Sequence, residues 1–396
     1  MTAITLLHEH LNQYCPQIHS SRLQAVMDVA TALQSSQNLS LTAIGRQLES
    51  ESEIKHRIKK VDRLIGNQHL YNELTRLYSG MSDYLFQYLC HTKDVPLIVD
   101  LCYMKDTHDI QMLSAEVATK GRSIPIYREV FEINHLKERS IEFISRLSQM
   151  IPLNRKIIII MDAGFGDDWF EAIERKGWYW LARVRKKRYV KLEQEGEWYD
   201  VGDLFPLVSP RAKNYENAYI TKKKERPCRL VTKKFDLKSK RKRPEKLPRN
   251  YNSANGNYQR TAKEPWILAT NLPKEFSTIQ VINYYKKRMQ IEESFRDIKS
   301  HQYGLGGRDV RTRCIYRWSI MMLLAAIVQM TLWIIGVIGH SMGYQKKFQA
   351  NTVKDSKVFS YFYLGMLIVE HGMVNQLNIN RKDLVNSIIT ELEREW

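Results

Sequence analysis

In the stretch YKKRMQIEESFRDIKS, Tyr285 to Ser300, four side chains fall along one line if the segment is helical. At about 100° per residue, Tyr285, Arg288, Glu292 and Lys299 lie within an arc of about 60°, beside an apolar face of Ile291, Phe295 and Ile298. Lys286, Gln290, Glu293, Ser294 and Asp297 lie roughly opposite, where a solvated face is expected. A carboxylate with two cations and a phenol at the rim of a core fits two descriptions. One is an ion-pair ladder, with Glu292 pairing to Arg288 or Arg296 by helical spacing. The other is half of an active site for a phosphodiester. Two more acids bear on the choice: Asp100 ends the apolar run PLIV, and Asp162 ends KIIIIM. An Asp at a strand end is often only a turn former, but ligands in α/β sheets gather at the carboxyl ends of strands. Convergent carboxylates suit two hard cations, Mg²⁺ or Mn²⁺, which clamp the attacking and leaving oxygens of an in-line phosphoryl displacement.

The elements that would position these acids follow from periodicity. PLIVDLCY reads as a strand, IQMLSAEVAT and SIPIYREVF alternate as two more, and Gly121-Arg122 predicts the turn between them. HLKERSIEFISRLSQMI predicts an amphipathic helix, and KIIIIMDAGF a strand buried on both faces. DDWFEAIERKG predicts a helix with acids at its start and Gly177 at its end, and WYWLARVR a further strand. The order β-β-β-α-β-α-β is then interrupted over residues 186–263 and resumes with the strand PWILATNL and the helix described above.

The chain has 396 residues, enough for two or three domains. With 61 Lys and Arg against 43 Asp and Glu it carries +18, which favours polyanionic partners. Between Lys222 and Arg249 there are 14 Lys and Arg against 3 Asp and Glu, so this piece holds +11 of the total. Like charges at that density repel one another unless an anion is bound, so Lys240, Arg241, Lys242 and Arg243 are expected to contact DNA. In the N-terminal 75 residues, a short helix from Ser40 and a basic one after it have a helix-turn-helix cadence. Lys55, Lys59, Lys60 and Arg63, with Arg57 at the rim, suit phosphate clamps beside a groove, and suit equally the solvated face of a helical bundle.

Five scattered cysteines without a CxxC pair argue against a disulfide framework or zinc, and fit a reducing cytoplasm. No secretory signal is read at the N-terminus. Trp318 to Ile338 runs 21 residues without a charge, long enough for a bilayer, yet Ser319, Gln329 and Thr331 favour a buried core helix.

The spacing Tyr285-x2-Arg288-x3-Glu292-x6-Lys299 resembles the signature of the family-four insertion-sequence transposases of bacteria, which cut and paste DNA. MDAGF, KEPWILATNLP, RMQIEESFRD, KSHQYGLG and FQANTV are also similar to that family, over nearly the whole chain. One departure is LCYMKD after Asp100, where relatives often carry a Trp or Ser. The resemblance implies an α/β, ribonuclease H-like catalytic core, residues 76–340, with a β-rich basic insertion at 186–263. It also implies a helical DNA-binding domain at 1–75 and a helical C-terminal region at 341–396. Asp100, Asp162 and Glu292 would be the catalytic DDE triad, holding two ions of Mg²⁺ or Mn²⁺. Tyr285, Arg288 and Lys299 would hold DNA near the cleaved end; Met289 is either an apolar probe there or core packing. The implied partners are double-stranded DNA, as element ends and as target, and a second copy in a synaptic homodimer, with no membrane. The implied place is the bacterial cytoplasm, at the nucleoid. Two other readings are a basic helix-turn-helix regulator or inactive derivative, and a host metal-dependent nuclease without strand transfer.

Overall fold

The computed structural model describes residues 2–90, 92–104, 110–119, 121–133, 139–235, 264–353, 358–377 and 385–386. The run Lys240 to Arg243 lies outside these residues. The chain begins with helices α1 (Ala3–Tyr14), α2 (Ser20–Ser36), α3 (Leu41–Gln47), α4 (Ile54–Ile65) and α5 (Gln68–Tyr88). Strands β1 (Asp94–Tyr103), β2 (Ile110–Ala118) and β3 (Ser123–Glu132) follow, then α6 (Ser140–Met150), β4 (Lys156–Met161), α7 (Asp167–Glu174) and β5 (Tyr179–Arg183). Next come β6 (Tyr189–Lys191), β7 (Trp198–Asp200), α8 (Val201–Leu204), β8 (Lys213–Ile220), β9 (Arg226–Lys233) and β10 (Trp266–Thr270). The last helices are α9 (Thr278–Lys286), α10 (Met289–Lys299), α11 (Ile315–Ser341) and α12 (Tyr361–Glu370). This mixed α/β order contains the expected β-β-β-α-β-α-β series and is consistent with a ribonuclease H-like transposase core. Between β5 and β10 the described residues form antiparallel strands with one short α-helix and a 3₁₀ turn at Phe205–Leu207.

Two compact units emerge, Met1–Ile157 with Lys287–Trp396, and Ile158–Lys286. In the first, β1, β2 and β3 form an antiparallel meander, and helix α11 packs on β3, α1, α2, α4, α5 and α12. Helix α11 is long and apolar enough to cross a membrane, but its most apolar window is wholly buried in the protein. Its polar groups bond inside the unit: Gln329 Nε2 donates to the Ser294 carbonyl at 3.1 Å, and Thr331 Oγ1 accepts from Gln34 Nε2 at 3.0 Å. An apolar helix that is buried along its length, with Gln329 and Thr331 bonded to neighbouring elements, is a core helix.

Helices α11 and α12 meet at glycines. A β-carbon on Gly336 would clash with the Tyr361 carbonyl oxygen, and one on Gly365 with that of Leu332. Backbone cannot yield as a flexible side chain does, so Gly336→Ala should destabilise by about 1–3 kcal/mol. Urea unfolding would check this; a midpoint equal to wild type would show that the two helices can part at no cost.

In the second unit β4 and β5 run parallel, Ile158 opposite Tyr179 and Met161 opposite Ala182, with α7 as the crossover. The run of isoleucines in β4 is buried, as expected for a strand covered on both faces. Strand β10 pairs antiparallel with β5 and β9, β9 with β8, and β8 with β6, which pairs with β7. Ile158, Ile160, Leu181, Val231 and Leu268 form the buried cluster on which α9 lays Val281, Ile282, Tyr284 and Tyr285.

Candidate active site

In the first unit, Asp100 sits in β1 opposite Ser114 of β2, and Arg288 stands at the start of α10, which packs on β1, β2 and β3. Arg288 binds two of the predicted acids at once. Its Nη1 lies 3.1 Å from Asp100 Oδ2 and its Nη2 lies 2.6 Å from Glu292 Oε1. The Arg288 and Asp100 side chains are 10% and 16% exposed and that of Glu292 37%. The Leu101 N–H donates to Asp100 Oδ1 at 2.8 Å. Two carboxylates brought to one guanidinium in a partly buried setting share a charge-assisted hydrogen-bond system. Glu292 does pair with Arg288, as the helical spacing allowed, and the same guanidinium also holds Asp100.

The single helix expected from Tyr285 to Ser300 is two helices. Helix α9 ends at Lys286 and α10 begins at Met289. Across the break, the Gln290 N–H donates to the Lys287 carbonyl and the Ile291 N–H to that of Arg288, both three-residue spans. An angular arc holds only along an unbroken ladder, so the arc read over one helix does not apply across α9, which carries Tyr285, and α10. Its ring is buried in the second unit, edge-on to Trp266 with centroids 4.9 Å apart. Lys299 stays on α10 beside Cys102 of β1; burial pushes the Cys102 thiol up, and the Lys299 ammonium opposes that rise. Met289, read as an apolar probe or core packing, is 40% exposed and so is not core packing; Arg288 Nη2 lies 3.3 Å from its sulfur.

The face of α10 expected to be solvated is partly buried as well. Ser294 and Asp297 are buried, because this side lies against the β2–β3 hairpin and α11. Arg122 Nε lies 2.8 Å from Asp297 Oδ2, and the Gln290 amide bonds both backbone groups of Thr119. Burial pushes the Asp297 carboxyl up to about 7, against the pull of Arg122. Polar residues with matched partners on a neighbouring hairpin look identical, in sequence, to polar residues in water.

In the second unit Asp162 directly follows β4. Its Oδ2 lies 3.2 Å from Arg185 Nη2, while Oδ1 is buried without a hydrogen-bond partner among the described residues. Arg185 went unremarked in the sequence, although β5 runs parallel to β4 and both end at the same edge. A buried pair was missed too: Arg128 Nη2 and Glu116 Oε1 lie 2.8 Å apart, both side chains fully buried. Ser114 and Ser123 donate to the two oxygens of Glu116 at 2.7 and 2.6 Å. Ser114 is the cross-strand partner of both Asp100 and Arg128, so the three share one row.

Among the predicted DNA contacts, Lys55, Lys59 and Lys60 are exposed on α4. Lys55 lies 2.7 Å from Glu53, and Lys60 donates to Ser50 at 3.0 Å. Arg57 is half-buried and donates to the Leu48 carbonyl at 3.0 Å, tying α4 to the end of α3.

The carboxylates of Asp100, Asp162 and Glu292 are hard oxygen donors of the kind that divalent cations take, and the orphan Oδ1 of Asp162 is a buried donor in want of a partner. Among the described residues no three His, Cys, Asp or Glu side chains are gathered as a ready metal site. Residues 133–329, just under half of the chain, match the family described as transposase DDE domain. The matched span takes in Asp162 and Glu292 and begins after Asp100. The match supports a DDE transposase, a class of DNA-cutting enzyme that acts on DNA and generally uses divalent metal ions. No curated protein matches the chain.

Proposed function

We propose that this chain is a cut-and-paste transposase of the family-four type, and that Asp100, Asp162 and Glu292 are its DDE triad. The observation that carries this reading is the convergence of Asp100 and Glu292 on Arg288, which lies 188 residues from Asp100 in the chain. Nothing in a plain ion-pair ladder on α10 requires an acid from β1. The three carboxylates would hold Mg²⁺ or Mn²⁺, and when bound such ions polarise the scissile phosphate and lower the pKa of an attacking water. The chain binds the terminal inverted repeats of its element, with the α4 face and the basic run Lys240 to Arg243 among the contacts. One strand is nicked, the freed 3′-OH attacks the opposite strand to give a hairpin, and water reopens it. The final 3′-OH joins target DNA, in a synaptic homodimer.

Arg288 offsets part of the charge of the two acids that it bridges, and a guanidinium that turns to DNA can grip phosphate with two bonds, where Lys299 would offer a point charge. Cleavage of a terminal-repeat duplex with Mg²⁺ tests the reading as a whole, and joining of the cut ends to a target plasmid separates it from a simple nuclease. A chain that binds the duplex and never cuts it would be a regulator. Replacing Arg288 or Lys299 by Ala should leave first-strand nicking reduced yet present, while hairpin formation or its resolution stalls. On a pre-nicked duplex, double-strand breaks at the wild-type rate would show that these cations are structural.

A further inference from the structure

Asp100 and Glu292 come together on Arg288 from separate elements, a strand and a helix. Something must therefore fix the helix on the strand. Helix α10 begins anew at Met289, so α9 does not set its rotation. Its apolar face, Ile291, Phe295 and Ile298, is buried, but apolar burial is non-directional. A side-chain tip about 5–6 Å from a helix axis moves about 1 Å for every rotation of about 10°. An error of about 1 Å at a reacting centre can cost about 10²-fold in rate.

Directional bonds hold the other flank of α10, where Gln290 and Asp297 lie roughly opposite Glu292 by helical angle. The Gln290 amide meets Thr119 with both ends. Its Oε1 accepts from the Thr119 N–H at 2.9 Å, and its Nε2 donates to the Thr119 carbonyl at 2.6 Å. Two turns further on, Asp297 Oδ2 accepts from Arg122 Nε at 2.8 Å. Arg122 Nη1 also lies 3.7 Å from Glu293 and donates to the Gly121 carbonyl at 3.0 Å.

The anchors belong to one piece of backbone. The Thr119 hydroxyl donates to the Arg122 carbonyl, at the end of the β2–β3 hairpin. Strand β2 pairs in turn with β1, Ser114 opposite Asp100. The meander that carries Asp100 therefore also grips the back of the helix that carries Glu292. The Arg122 and Asp297 side chains are 20% and 6% exposed. A buried ion pair is a weak source of net stability, and its best-attested use is to set register.

We propose that the hairpin end formed by Thr119, Gly121 and Arg122 is a clamp that sets the rotation of α10, with Gln290 and Asp297 as positioning residues for Glu292. Both act through the placement of the Glu292 carboxylate beside Asp100. The proposal rests on the reading of Asp100 and Glu292 as metal ligands.

Mn²⁺ binding to the full chain, followed by the electron paramagnetic resonance of the free ion, tests the clamp apart from catalysis. Wild type should show a site that Asp100→Asn removes. Gln290→Ala and Asp297→Asn should each weaken that site about 10- to 100-fold, the usual loss when the support behind a metal ligand is removed. Gly336→Ala, at the contact of α11 with α12, is the control for lost stability and should bind Mn²⁺ as wild type does. On a terminal-repeat duplex, the Gln290 and Asp297 variants should lower kcat for nicking and leave KM near wild type. Wild-type Mn²⁺ affinity in Gln290→Ala or Asp297→Asn, or an equal loss in Gly336→Ala, would overturn the clamp while the metal site stood. No Mn²⁺ site in wild type, or one that persists in Asp100→Asn, would overturn the reading of the acids and the clamp with it.

Discussion

Asp100→Asn, Asp162→Asn and Glu292→Gln should each lower Mg²⁺-dependent nicking of a terminal-repeat duplex by about 10³-fold or more, with binding of that duplex retained. Each change removes one negative charge and keeps the shape of the side chain, so packing is disturbed little. The partners differ, which makes the three variants distinguishable. Asn at position 100 and Gln at 292 each leave Arg288 with one carboxylate in place of two. Asn at position 162 leaves Arg185 without its acid and places an amide where a buried oxygen now lacks a partner. Nicking rates measured at saturating DNA, beside binding isotherms, would separate lost chemistry from lost affinity. Near-normal nicking by any one variant would remove that residue from the triad.

Glu116→Ala should cost about 3–5 kcal/mol of stability, the usual result of stranding one partner of a buried ion pair. Arg128 would be left fully buried with its counter-charge gone, and Ser114 and Ser123 would each lose an acceptor. Ser114 and Arg128 lie in a cross-strand row with Asp100, so the damage falls beside the proposed catalytic aspartate. Urea unfolding gives the number. A loss below about 1 kcal/mol would mean that water reaches Arg128 in the variant and that the pair is not sealed as the structure has it.

The strands and helices that carry the acids were legible because their patterns are strong. KIIIIM could scarcely be anything but a covered strand, and the Gly121 turn appears with its left-handed φ of +74°. The break between α9 and α10 was not legible, since Lys287 and Arg288 are ordinary helix formers and no Gly or Pro marks it. The burial of Asp297 was hidden for a related reason: its partner Arg122 is 175 residues away, and a long-range ion pair leaves no periodic trace. Glu116 and Arg128 alternate correctly for strands, but facing inward as a pair they reverse the usual meaning of a charged position. Of the candidate site, the sequence singled out acids at two strand ends and on one helix, whereas the bridge from Arg288 to Asp100 is visible only in the fold.

The most direct measurement of the central claim asks where a divalent ion sits on the protein itself. Fe²⁺ substituted for Mg²⁺, with ascorbate and peroxide, generates hydroxyl radicals that cut the polypeptide close to the ion. The account predicts backbone cuts near Asp100, Asp162 and Glu292, protected by excess Mg²⁺ and lost together in Asp100→Asn. Cuts confined to other parts of the chain, or a pattern unchanged in Asp100→Asn, would contradict a metal site shared by these three acids.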